Sequence, residues 1–77
     1  MQEMLDKVRE LLGPDAQGVS EDEVEAVLEL ARVVAHASER RAAPVSAYLA
    51  GLALGGAAPA ARAAVLDELV VKLETQR

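Results

Sequence analysis

Seventy-seven residues with thirteen acids, eight bases and no cysteine make one domain, residues 1–77, and exclude a disulfide scaffold, a thiolate metal site and a cysteine nucleophile. A net charge of −5 repels phosphate backbones and anionic bilayers, so neither a nucleic-acid nor a membrane partner is expected. Tyr48 is the sole aromatic residue, which argues against base-stacking platforms and leaves the core to Leu, Val, Ala and Met.

Four segments carry helical period. Met1, Met4, Leu5, Val8, Leu11 and Leu12 recur at spacings of three and four, with Gln2, Glu3, Asp6, Lys7, Arg9 and Glu10 between them. This predicts a first amphipathic helix with a clean stripe. Gly13-Pro14 stops it. After a loop over Asp15 to Val19, Ser20-Glu-Asp-Glu reads as a capping box, the Ser20 hydroxyl accepting from the backbone of Glu23 and the Glu23 side chain reaching back. Val19 could staple against Val24. Glu21, Asp22 and Glu23 suit the positive end of the helix dipole.

The second helix places Val24, Val27, Leu28, Ala31, Val34 and Ala35 on one face, widened by Leu30 and Val33. So broad an apolar arc predicts the central helix, packed on two sides and running to about His36 or Ser38. On this reading Leu28→Ala is among the most damaging substitutions, at about 2–5 kcal/mol. Glu39 to Ala43 is a basic connection, since Pro44 disfavours helix at the residue before it and suits a first turn. A third helix is predicted over Val45 to Leu54, with Val45, Tyr48, Leu49 and Leu52 as its larger stripe. Ala47, Gly51 and Gly55 form a row of small residues, so Gly51 is expected to face a neighbouring helix at close range. Pro59 opens the fourth helix. Its stripe is Val65, Leu66, Leu69, Val70 and Leu73, with Arg62, Asp67, Glu68, Lys72 and Glu74 toward solvent and a fraying tail at Thr75-Gln76-Arg77. No period-two segment appears. The fold class is all-α, a compact four-helix domain with short connections.

The chemistry is decided mostly by inventory. One histidine excludes a multi-histidine metal site within the chain, and no Gly-x-x-x-x-Gly-Lys is present. Gly51-x-x-x-Gly55-Gly56 falls late in a helix, whereas anion-binding glycines precede one. An acyl carrier needs Asp-Ser-Leu at the head of its second helix, where this chain has Ser-Glu-Asp-Glu. No metal, cofactor or catalytic residue is expected. The polar constellation is His36, Arg40, Arg41, Ser46 and Tyr48, around the joint between the second and third helices. Its structural reading is a helix end: a histidine in the last turn and arginines bonding the terminal carbonyls. Its functional reading is a site for a small anion or a partner protein. Catalysis by His36 has no carboxylate or nucleophile beside it in sequence. The acidic run Glu21, Asp22, Glu23, Glu25 and Glu29 reads as a solvated face or, more sharply, as a docking surface for a basic partner.

Within that region Ala35-His36, Arg40-Arg41, Ala43-Pro44-Val45-Ser46, Tyr48-Leu49, Gly51, Ala53 and Gly55 form a pattern. It resembles a small helical family of unknown function common in actinobacteria, found stand-alone or appended to molybdenum-cofactor guanylyltransferase. The match is strong over about twenty residues, and length and the capped acidic second helix agree in character. Family members often carry a tryptophan in the first helix, where this chain has Met4-Leu5, and threonine is frequent where Ser46 stands. Six arginines to two lysines suit a GC-rich bacterial source.

The resemblance implies an accessory role near molybdenum-cofactor biosynthesis and brings no catalytic residue. The expected function is therefore a non-enzymatic accessory or interaction module, with a protein partner that the resemblance suggests is a molybdenum-cofactor guanylyltransferase. The alternative is a small protein binding a phosphate or pterin-like anion. A monomer or weak homodimer is expected. No basic N-terminal stretch leads into an apolar run, so no signal peptide is expected, and the absence of cysteine fits a cytoplasmic location. The longest mostly uncharged stretch, Ala42 to Ala61, is too broken by proline and glycine to span a bilayer.

Overall fold

Local signals set the helix ends in the computed structural model, which describes residues 1–76. Helix α1 spans Gln2–Leu12 and stops at Gly13, whose φ of 93° is open to glycine without strain. A 3₁₀ turn over Pro14–Ala16 follows. Helix α2 spans Glu21–Ala37, with the Ser20 hydroxyl accepting from the Glu23 amide at 3.1 Å. Helix α3 spans Ala42–Ala53 and α4 spans Pro59–Thr75. The molecule is all-α with four helices and no strand among the described residues. Among those residues no helix is long and apolar enough to cross a membrane.

Helix α3 begins three residues before the predicted Val45. Two turn bonds, Ala42 N–H to the Glu39 carbonyl and Ala43 N–H to the Arg40 carbonyl, build its first turn. Pro44 is tolerated there because first-turn amides need no intrahelical acceptor. Of the expected fraying tail, Thr75 still belongs to α4, its hydroxyl donating to the Lys72 carbonyl at 3.1 Å. Arg77 lies outside the described residues.

Helix α2 is central, as its broad apolar arc predicts, with α4 on one side and α3 on the other. Its core is centred on the edge of the predicted arc, at Leu30 and Val33, and not on its middle. Ala26, Leu30 and Val33 meet Leu66 and Val70 of α4, and Val27, Val34, Ala50, Leu54, Leu69 and Leu73 pack around them. The buried positions lie about 130° round the helix from the centre of the predicted stripe, near Ala31. Leu28 itself is 46% exposed, so it is not the critical core leucine. The reason lies in the small side chain of Ala26, on the face turned to α4. A helix that serves two neighbours centres its core where they converge, not where its own apolar residues are densest.

Two further expectations are corrected. A Cβ on Gly51 would have nothing within 4 Å, so no helix approaches it closely. The α3 stripe of Val45, Tyr48, Leu49 and Leu52 faces out, each residue being more than half exposed. The side of α3 that faces its neighbours is made of small residues, Ser46, Ala47 and Ala50.

Candidate functional site

The joint is built by the end of α2 and the head of α3. Ser38 caps α2, its N–H donating to the Val34 carbonyl at 3.0 Å. His36 lies in the last turn, where the helix dipole favours positive charge. His36, Arg40 and Arg41 are all exposed. Arg41 approaches the Glu39 carboxylate at 3.4 Å with its side chain 89% exposed, and such a pair contributes little. The side chains of Arg40 and Arg41 are therefore available to a partner.

Ser46 and Tyr48 part company. Residues two apart on a helix point to opposite sides. Ser46 is half-buried and lines a groove with Val34 and Leu73. Tyr48 stands on the outer face of α3, 67% exposed. His36, Arg40, Arg41 and Tyr48 thus form an exposed ridge while Ser46 turns into the groove, and the five do not converge on a single cavity.

Beside that ridge lies the apolar outer face of α3. The helix contains no charged residue at all. A helix apolar all round is ordinarily enclosed on all sides, yet α3 packs chiefly on α2. Val45, Tyr48, Leu49 and Leu52 are consequently left to solvent, and contiguous patches of this kind mark contact sites.

One polar feature escaped the sequence reading. Arg62, expected in solvent, has a side chain only 18% exposed and meets Glu23, 10% exposed, with Nε 2.9 Å from Oε2. The approach is not a well-aligned hydrogen bond, and Glu23 Oε1 has no donor. The other end of the guanidinium donates to the Gly18 carbonyl at 3.0 Å. Glu23 therefore forms only half of the predicted capping box: its amide is capped by Ser20, but its carboxylate turns to α4. The pair ties the loop before α2 to α2 and α4. The signal was present, since Arg62 precedes Leu66 and Val70 at helical spacing on the buried face of α4.

The remaining acids behave as a solvated face. Asp22, Glu25 and Glu29, with Asp67 of α4, rim an open groove over Ala26. Glu29 takes paired hydrogen bonds from Arg32. Those bonds, and secondarily the Arg32 charge, hold the Glu29 carboxyl below its ordinary value. Among the described residues no group of three metal-binding side chains comes together.

Residues 1–76 match the model of a family described as Domain of unknown function (DUF6457). No curated protein and no solved structure matches the chain.

Proposed function

The chain belongs to the DUF6457 family, and on that premise we propose that it is a non-enzymatic accessory module that docks a partner protein through the outer face of α3 and the adjoining cationic joint. The observation that carries this is an uncharged helix whose four large outer side chains are each 58–67% exposed. Arg40 and Arg41 stand next to that face in an otherwise acidic molecule. The complementary partner presents an apolar groove rimmed by carboxylates. Tyr48 suits the anchor role, since a rigid aromatic with a polar tip recurs at binding hot spots. The exposed ridge favours a surface contact over an enclosed anion pocket.

The family pattern at the joint, as it resembles chains appended to molybdenum-cofactor guanylyltransferase, makes that enzyme the first partner to test and the cytoplasm the expected compartment. Backbone amide NMR shifts, followed while a molybdenum-cofactor guanylyltransferase is added, are expected on α3 and the joint. Tyr48→Ala should weaken binding by about 2 kcal/mol, and Arg40→Ala with Arg41→Ala should reduce its salt dependence. Shifts confined to Glu21 through Glu29, or none, would refute this docking face for that partner. Parallel titration with guanine nucleotide and molybdopterin tests the anion-binding alternative, which clustered shifts at His36 and Arg40 would favour.

A further inference from the structure

A groove of about 260 Å³ lies where α2, α3 and α4 meet the loop before α2. Its α3 wall is made of Ala47, Ala50 and Gly51, and Arg62 and Leu66 line it from α4. A Cβ on Gly51 would meet nothing within 4 Å. Packed interiors ordinarily leave few gaps larger than a water molecule, and this one is held open by small residues on α3. Its polar end is the ion pair. The Glu23 side chain is 10% exposed and that of Arg62 18%. Glu23 Oε1 has no donor and Arg62 Nε no aligned acceptor, although both atoms are enclosed. An enclosed polar atom left unpaired is costly, and polar groups converging on an apolar recess mark ligand sites. A carboxylate turns easily about its terminal torsion, which presents Oε1 to the groove.

The two unpaired atoms define the chemistry of the ligand. Glu23 needs a donor and Arg62 an acceptor, side by side, and an amide carries both on one edge. The charges of the pair cancel, so a charged ligand gains no net attraction from them. Asp15, exposed at the rim, and the net charge of −5 repel an anion further. A cation would have to displace Arg62 from Glu23. The alanine and glycine wall suits an apolar body. At roughly 30 Å³ for each water-sized atom, the groove holds about nine non-hydrogen atoms.

We propose that this groove binds a small neutral amide, which donates its N–H to Glu23 Oε1, accepts at its carbonyl from the Arg62 guanidinium and lays its apolar part on Ala47, Ala50 and Gly51. The groove lies on the inner side of α3, away from Tyr48 and the cationic joint, so this inference is independent of the partner face argued above.

Backbone amide NMR of the full chain, titrated with benzamide, benzoate and benzamidine, tests it, since the three share one shape and differ in charge. The expected result is saturable benzamide shifts at Glu23, Ala47 and Gly51, with affinity at least about tenfold lower for benzoate and for benzamidine. Gly51→Leu fills the groove and is expected to abolish the benzamide shifts without melting below the parent. Glu23→Leu with Arg62→Leu removes the polar end and is expected to stay helical by circular dichroism while losing the preference for the amide. No saturable benzamide shift up to millimolar concentration overturns the proposal, as does benzoate or benzamidine binding as tightly as the amide. Benzamide shifts that persist in Gly51→Leu, or that fall on Arg40 and Tyr48 instead, overturn it as well.

Discussion

The seam between α2 and α4 and the stripe of α1 draw on the same residue types with opposite outcomes. The α1 stripe is the more regular pattern, yet none of its residues is fully buried. The α4 pattern is more diffuse, with Ala and Val spread around the helix, yet Leu66 is 2% and Val70 6% exposed. The difference is one of reach. Helix α4 has 17 residues along the 17 of α2, so many weak contacts sum along the seam. Helix α1 borders α2 across an open groove, where its half-buried Leu5 and Arg9 stand opposite Val24, Val27 and Leu28. A regular stripe states how much surface a helix can bury. It does not say that a partner stands opposite.

The sharpest way to break that comparison is to hollow the seam. Leu30→Ala or Leu66→Ala should cost about 2–5 kcal/mol by urea unfolding, because both side chains are enclosed. Leu28→Ala, half-exposed on the other side of α2, should cost about 1 kcal/mol in dilute protein. A Leu28 loss equal to that of Leu30 would place the core on the wrong face.

Next in size is the ion pair that closes the seam at one end. Arg62→Ala leaves the Glu23 carboxylate shielded and unpaired, at about 1–3 kcal/mol. Glu23→Leu together with Arg62→Leu should recover much of that loss, since apolar replacements remove both desolvation penalties. An Arg62→Ala variant as stable as the parent would show that the pair does not hold the seam.

Gly51→Ala probes the open groove that α3 forms beside that pair. Gly51 has no positive φ, and a Cβ there meets nothing within 4 Å. The alanine should therefore raise stability by up to about 1 kcal/mol, read as a higher melting midpoint. A lower midpoint would reinstate close helix packing at that glycine.

The smallest effect belongs to Glu29. Its folded carboxyl sits below the ordinary value because Arg32 hydrogen-bonds the charged form. A depressed carboxylate contributes stability above its unfolded value and loses it as pH falls through the folded one. The gap between wild type and Glu29→Gln should thus be largest at neutral pH and close in acid. Because the pair is exposed, salt should shrink the gap as well. A gap that widens in acid would reverse the sign assigned here.

For the candidate site, the sequence located the residues of the joint but not their directions. His36, Arg40 and Arg41 could be placed at a helix end from Pro44 and the fading of apolar period. That Ser46 turns into a groove while Tyr48 faces solvent follows only once the side of α3 against α2 is known. Period alone marks Val45, Tyr48, Leu49 and Leu52 as the larger stripe of α3 and does not say which way it faces. The fold packs the small residues Ser46, Ala47 and Ala50 toward the neighbouring helices and leaves the large ones out.

What the sequence by itself determined is the set of helices and most of their ends. Caps and breakers act over a few residues: Ser20 bonds the amide three positions on, Gly13 supplies the positive φ, and Pro59 opens α4. The wide apolar arc of α2 likewise made it central before any neighbour was known. Only the tertiary structure decided which part of that arc is core, that Gly51 is open, that α1 is uncovered, and that Arg62 reaches back 44 residues to the Gly18 carbonyl. The physical reason is that hydrophobic attraction is non-directional. It rewards any burial of the stripe, so the pairing of faces is settled by which side chains fit together at close range, and that is a property of two helices at once.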